Sequence, residues 1–260
     1  SSRYRKEPSL VKIGIAGFGY VGQAHYKALK DYYTVLVNDP AKEKYDDLRL
    51  CDAIIVCVAT PQAKDGSCDM KNVYDVLNDT KDVPILIKST ISIEGWEYIK
   101  SLWQNVTFSP EFLRADSALD DFRKNKTILM GGDSVGFWQD IFLNAMGNIN
   151  IFSADPKELI FVKYFRNSFL ATKVAFFNEI YDLCQASNIN YETVRELISI
   201  DERIGSSHTY ISEERGYGGH CFPKDINAIL KTANNLDNDL NILTTVKKYN
   251  NKIRKNLDKQ

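Results

Sequence analysis

The chain has 260 residues, a formal net charge of −1 and 44% hydrophobic residues. That is length for one large domain or two modest ones, with enough apolar content for a packed core, which excludes a disordered chain. The near-zero charge gives no electrostatic reason to expect a nucleic-acid or membrane partner, and the longest apolar runs, such as AIIVCVA, are far shorter than a membrane span.

The first ten residues, SSRYRKEPSL, are polar and basic with no apolar stretch of the signal-peptide kind, and are expected to form a disordered leader. Residues 11–16 then alternate as a strand, followed by Gly17-Phe18-Gly19-Tyr20-Val21-Gly22 and a helical pattern. A GxGxxG between a strand and a helix is a dinucleotide fingerprint. Gly17 permits the tight turn, Gly19 lets a pyrophosphate approach the backbone, and Gly22 lets the helix pack close to the strand. The helix N-terminus offers free N–H groups to the phosphates. A second strand, 33–39, ends at Asp39, about twenty residues after the glycines, where an acid is expected on the ribose hydroxyls. A carboxylate there repels a 2′-phosphate, which argues for NAD over NADP; the other reading is that Asp39 only opens the turn at Pro40.

The alternation continues with strands at 52–60, 83–90, 105–110 and 126–132 and helices at 72–80 and 95–103. Strands alternating with helices indicate parallel βαβ units, an α/β Rossmann-type sheet. Ligands gather at the carboxyl ends of such strands, which places Thr60-Pro61, Ser89-Thr90 and Ser109-Pro110-Glu111 on a cofactor rim, although each is also ordinary turn chemistry.

The second half reads as helical. Asp155, Pro156 and Glu158 are helix-start signals for a periodic stretch over 156–186, about 45 Å long at 1.5 Å per residue. Being apolar on several sides, it suits a domain core, a subunit interface or both. Lys163 and Asn167 are one helical turn apart among apolar neighbours. They are a cation and an amide aimed at one substrate oxygen, or a lysine snorkelling to solvent beside an unrelated Asn. A short helix near Asn190 precedes a long loop-like stretch from 201 to 225, and two helices close the chain, over 226–236 and from 240 into a basic tail. The expected division is 1–10 leader, 11–153 cofactor domain and 154–260 helical domain.

Five cysteines occur, Cys51, Cys57, Cys68, Cys184 and Cys221, with no CxxC pair, so neither a zinc site nor a disulfide framework is indicated. Cys57 in an apolar strand and Cys184 on a helix face read as buried fillers, and a reducing, cytoplasmic setting fits. Cys221 differs. Gly218 and Gly219 let the backbone approach a ligand, Pro223 favours a first helical turn, and a helix N-terminus with Lys224 alongside favours a thiolate. Cys221 is a nucleophile candidate, with Asp225 near enough to share its cavity; a buried structural thiol is the alternative. His25 and His208 have no partner that the sequence identifies.

The segments GFGYVG, ATPQAKDG, KST, SPEFLR, VKYFRNSFLATKVAFFNEI, DERIG and GGHCFPKD occur in one order from Val11 almost to the end. Together they resemble the UDP-glucose/GDP-mannose dehydrogenase family. The resemblance implies NAD-dependent oxidation of the C6 alcohol of a UDP-sugar to a carboxylate, UDP-glucose to UDP-glucuronate in the best-matching case, by two hydride transfers through a thiohemiacetal and a thioester on Cys221. It implies that Lys163 stabilises oxyanions with Asn167 beside it, that Asp225 and a water near Thr90 manage protons, and that Glu111 assists thioester hydrolysis. It further implies sugar contacts from Glu111, Phe112, Leu113, Arg114, Tyr210, Gly218 and Gly219, and a homodimer on the long helix in which Arg203 reaches the neighbour's sugar. Cofactor contacts would come from residues 17–22, Asp39, Thr60, Pro61, Ser89, Thr90 and Lys224. His220 departs towards the UDP-N-acetylmannosamine dehydrogenases, and the usual PDR before the 126–132 strand is missing. The family's third, uridine-gripping domain is expected to be absent. Two other readings remain, a β-hydroxyacid-type dehydrogenase, which needs no cysteine, and a catalytically silent NAD-binding dimerisation module.

Overall fold

The structure is a computed structural model and describes residues 9–125 and 127–254. Residues 1–8 of the expected leader, Lys126 and the basic tail from 255 lie outside them. The chain divides into two compact units. One takes the chain to Pro61 and resumes over Cys68–Lys163; the other comprises Gln62–Ser67 and the chain from Tyr164.

The first unit is an α/β sheet. Its elements run β1 Ser9–Ala16, α1 Tyr20–Leu29, β2 Tyr33–Asp39, β3 Lys44–Tyr45, β4 Ala53–Val56, α2 Lys71–Asp79, β5 Ile85–Ile87, α3 Ile93–Leu102, β6 Val106–Phe108, α4 Ala118–Lys124, β7 Thr127–Gly132, α5 Val135–Met146 and β8 Asn150–Ser153. The strand order is β3-β2-β1-β4-β5-β6-β7-β8. Pairing is parallel except where β3 joins β2 and β7 joins β6. β4, β5 and β6 are buried at every position, the pattern of strands covered on both faces, which is why they read as continuous apolar runs. Ile13 and Ile15 of β1 pair with Val35 and Val37 on one side and with Ala53 and Ile55 on the other. They form one core with Leu29, Leu86, Trp138 and Phe142. β1 therefore lies between β2 and β4, and the chain leaves it in opposite directions along the sheet, the arrangement that opens a ligand crevice at the strand ends.

Several expectations shift. β1 starts two residues before the run that alternation marks. The expected 52–60 strand closes at Val56, so Cys57 stands one residue past the strand rather than in it, only partly buried. Burial pushes its thiol pKa well above the ordinary range. β3, α4, α5 and β8 were not expected. α5 lacks a side-chain cap on its N-terminal amides, and β8 is exposed at three of its four positions, so neither carries a strong local signal.

The long helix α6, Pro156–Ala186, has the bounds the periodicity implies, and Asp155 Oδ1 accepts from the Lys157 N–H at 2.8 Å. In the second unit α6 from Tyr164 onward is joined by α7 Tyr191–Ser199, α8 Phe222–Asn235 and α9 Asn241–Ile253. Asn190 caps α7 through the Thr193 N–H. Ala171, Ala175, Tyr217, Ile226 and Val246 make one core cluster, and Phe177, Cys184 and Tyr191 a second. Among the described residues no helix is long and apolar enough to cross a membrane.

Candidate active site

The glycine turn sits at the carboxyl end of β1. Gly17 has φ +94°, and a Cβ there would lie 2.6 Å from the Cys57 carbonyl oxygen, so position 17 admits no side chain. Gly19 faces open space, as an approaching phosphate requires. A Cβ at Gly22 would strike the Gly17 carbonyl before it met the strand side chain Ile15. Tyr20 and Val21 open α1, and Phe18 packs edge-on against Tyr26. Asp39 does not cap the turn that follows it. Its Oδ2 accepts the Phe18 N–H at 2.8 Å, tying the carboxylate to the glycine turn.

Along the rim, Thr60 Oγ1 donates to the Thr90 carbonyl at 2.6 Å, and Ser89 Oγ donates to the Val58 carbonyl at 2.6 Å. Both hydroxyl protons cross-link the loops after β4 and β5. Pro61 is exposed and Thr90 half-buried.

Glu111 lies beyond β6. Its Oε1 accepts the N–H groups of Phe112 (2.8 Å) and Leu113 (2.9 Å). Its Oε2 lies 3.4 Å from Lys88 Nζ, with side-chain exposures of 11% and 5%. Burial alone would raise the Glu111 pKa, but the charges of Lys88, His25 and Lys163 and the Leu113 N–H outweigh it, and the carboxyl is held below its ordinary value. Lys163 does not snorkel to solvent. It is 8% exposed, donates to the Glu111 main-chain carbonyl and lies 5.3 Å from the centre of the Phe112 ring. Arg114 is exposed and bound to Asp121 at 2.7 Å.

Sequence reasoning missed two members of this cluster. Lys88 stands in the quoted KST, yet its significance is that it is the lone charge directly after the run VPILI, where a buried cation needs partners; it finds Ser109 Oγ at 2.9 Å and Glu111. His25, read as partnerless, is fully buried with its Nδ1–H donating to the Val21 carbonyl at 2.8 Å and its ring 4.5 Å from Phe122. Burial, with the Lys88 charge, lowers its pKa to about 4.

In the second unit Cys221 is the N-cap residue of α8 and is exposed, so it is not a buried structural thiol. Pro223 sits in the first turn, as expected. The Asp225 N–H donates to the Cys221 carbonyl at 2.8 Å, and the Asp225 carboxylate, 2% exposed, accepts from Asn167 Nδ2 at 2.6 Å. Lys163 and Asn167, neighbours on α6, thus have different partners, a main-chain carbonyl and a carboxylate. Gly219 has φ +84° with open space before it, whereas the space a side chain would need at Gly218 is filled by the Arg254 guanidinium. The freedom read into Gly218 therefore serves packing within the chain. Lys224 is half-buried in the first turn of α8. Arg203 forms a two-point pair with Asp201, at 3.0 and 2.6 Å. Tyr210 is exposed, 4.0 Å beneath the Arg195 guanidinium. His208 has Ser207 Oγ at 3.2 Å and faces the Phe222 ring.

Residues 40–137 match the model of the UDP-glucose/GDP-mannose dehydrogenase family NAD binding domain, and residues 158–252 match the same family's central domain. The chain belongs to the UDP-glucose/GDP-mannose dehydrogenase family. Its first domain is the family's NAD-binding domain, and NAD is the cofactor that the open Gly19 and the Asp39 carboxylate fit. The chain is similar to the UDP-glucose 6-dehydrogenase of Rickettsia typhi, 33% identical over 245 residues covering 86% of this chain and 56% of that protein. It is also similar to that of Campylobacter jejuni, 36% identical over 205 residues covering 73% and 51%. It spans about half the length of the curated relatives it matches. Among solved structures, a UDP-glucose dehydrogenase from Pyrobaculum islandicum shares the fold with TM-score 0.80 at 24% identity, over 96% of this chain and 70% of that one. A UDP-D-ManNAc dehydrogenase from Pyrococcus horikoshii does so with TM-score 0.76 at 18%, over 94% and 69%.

Proposed function

We propose that the chain carries the oxidising machinery of an NAD-dependent nucleotide-sugar 6-dehydrogenase, with UDP-glucose as substrate and UDP-glucuronate as product. The observation that carries this reading is Cys221, exposed at the N-cap of α8 behind a left-handed glycine, one turn from a buried Asp225–Asn167 pair. A single alcohol-to-carbonyl oxidation needs no such thiol.

Bound NAD supplies the hydride acceptor for each of the two oxidations. Once the C6 alcohol has lost a proton and a hydride, the Cys221 sulfur adds to the aldehyde carbon and forms a thiohemiacetal, retaining the aldehyde on the protein. Loss of a second hydride and the hydroxyl proton leaves a thioester. Water then breaks the C–S bond, giving the carboxylate and restoring the thiol. Lys163 neutralises the alkoxide that forms when sulfur adds, and Asn167 fixes the Asp225 carboxylate, which accepts and returns the protons. Glu111, held ionised beside Lys88, orients the hydrolytic water. Asp39 selects NAD by repelling a 2′-phosphate, Tyr210 contacts the sugar, and Arg203 reaches the sugar of the neighbouring subunit.

The same reading includes a homodimer on α6. Phe165, Phe169, Phe176 and Leu183 recur at spacings of four, seven and seven residues, which puts them on one face of the helix, and they are 42–70% exposed. An apolar stripe of that kind is what a self-complementary interface buries.

NADH formation from UDP-glucose tests the reading. The expected yield is two NADH per sugar with net acid formed, and Cys221→Ser should abolish acid while leaving aldehyde-level exchange. Unchanged turnover of a hydroxyacid by Cys221→Ser would overturn it in favour of a single-oxidation enzyme. NAD binding with no NADH from any nucleotide sugar would reduce the chain to a silent cofactor-binding module.

A further inference from the structure

The turn that leads to Cys221 is an expensive piece of backbone. Within residues 215–219, Arg215, Gly216 and Gly219 all have left-handed φ, at +64°, +59° and +84°. A non-glycine residue in that region persists only where its surroundings over-determine it. The surroundings here are one side chain from within α9, a second from Arg254 at its C-cap, and one of α6.

Asn250, 3% exposed, engages both main-chain groups of Tyr217. Its Oδ1 accepts the Tyr217 N–H at 2.8 Å, and its Nδ2 donates to the Tyr217 carbonyl at 2.9 Å. One planar amide thereby does for Tyr217 what a neighbouring strand would do, satisfying a donor and an acceptor that are both buried. A Cβ at Gly216 would strike Asn250 Oδ1, so the glycine and the asparagine fit only as a pair. Four residues on, Arg254, 6% exposed, donates from Nη1 to the Arg215 carbonyl at 2.9 Å, and its guanidinium fills the space beside Gly218. Asn178 of α6, 1% exposed, accepts the Gly216 N–H and the Arg215 Nε–H on its Oδ1, both at 3.0 Å. Consecutive main-chain groups from Arg215 to Tyr217 are thus held by buried side chains, and the chain emerges from this clamp directly into Gly219 and Cys221.

We propose that Asn250 and Arg254 are positioning residues that hold the Cys221 turn in its reactive shape. Neither is placed against a substrate or a cofactor; they act through the backbone of residues 215–218. The inference rests on Cys221 being the nucleophile, but the clamp itself is read by measurements that do not need turnover.

The experiment compares Asn250→Leu, Asn250→Asp and Arg254→Lys in the full chain. Asn250→Leu leaves both buried Tyr217 groups unpaired, and amide exchange at 216–219 should rise by about tenfold or more while α6 and the β1–α1 turn keep their protection. Alkylation of Cys221 by iodoacetamide should change rate in parallel. With UDP-glucose, kcat for acid formation should fall by about tenfold to a hundredfold with the NAD dissociation constant unchanged. Asn250→Asp keeps the acceptor and loses the donor, and should fall between; it also serves if Asn250→Leu does not fold. Arg254→Lys keeps the charge without the fork and should give a smaller rise in exchange at 216 and 217. Wild-type exchange and alkylation in the Asn250 variants would overturn the clamp. A loosened turn in a chain that forms no acid even as wild type would sustain the clamp and overturn the catalytic reading instead.

Discussion

Glu111 and Cys221 are held in contrasting ways. Glu111 is 3.4 Å from a lysine that is itself 5% exposed, with its other oxygen on two backbone amides. Its geometry is set by charges withdrawn from water, at a desolvation cost that the opposite charge and the backbone amides offset. Cys221 stands exposed on a turn shaped by left-handed residues and fastened by neutral amides and one guanidinium. The first cluster should therefore respond to changes of charge and pH, and the second to changes of shape. Under the proposed function the contrast has a use: a carboxylate that orients water gains from an environment that keeps it ionised, whereas a thiol that attacks a substrate carbon gains from access, with its order supplied from behind.

Removing the cation is the harshest test of that contrast. Lys88→Met leaves Glu111 buried without its charge partner, and breaking a buried pair costs about 3–5 kcal/mol. Urea unfolding should show that loss, and adding Glu111→Gln to the same chain should recover most of it. A loss near zero in the single variant would mean that the backbone amides, and not Lys88, hold the carboxylate.

A pH titration of stability sharpens the same point. His25 is fully buried with its pKa lowered to about 4 from 6.5. Between those values the unfolded chain binds a proton that the folded chain refuses, so stability rises with pH across the window and is lost as pH falls from 6.5 towards 4, by about 3 kcal/mol in total. Glu111, held below its ordinary value, contributes stability that is lost only at lower pH, as its own folded pKa is crossed. Urea midpoints at pH 7, 6, 5 and 4 should fall for the wild type. His25→Leu should flatten the fall above pH 4, whatever it costs in packing against Phe122. An equal slope in the variant would assign the acid sensitivity to other groups.

These two residues also mark where sequence reasoning stops. The glycine turn, the central strands, α6 and the start of α8 carry local signatures: glycines at fixed offsets, unbroken apolar runs, and a proline one residue inside a helix. Cys221 and Asp225 stand out in the sequence because a thiol, a proline, a lysine and a carboxylate fall within five residues behind two glycines. Lys88 and His25 do not, because their meaning comes from partners distant in sequence, Glu111 and Phe122, and no local pattern records which residue a buried polar group will meet. The same holds for Asn250 and Arg254, which look like solvated residues of a basic helix until Tyr217 and Arg215 are seen beneath them. α5 failed for another reason: its apolar face of Trp138, Ile141 and Phe142 is real, but no side chain caps its start.

The smallest expected effect separates shape from charge at one atom. Asp39 Oδ2 accepts the Phe18 N–H, so the carboxylate braces the glycine turn whether or not it also meets the ribose as proposed. Asp39→Asn keeps an acceptor for that N–H and discards the charge; Asp39→Ala discards both. A charge-assisted hydrogen bond is worth about 1.5–3 kcal/mol, so Asp39→Ala should weaken NAD binding by about tenfold to a hundredfold. If the charge selects the cofactor, Asp39→Asn should bind NAD only a fewfold more weakly while gaining affinity for NADP. Calorimetric titration with both dinucleotides decides it. Continued rejection of NADP by both variants would leave Asp39 as a brace for the turn and move the selection to the other atoms around the ribose.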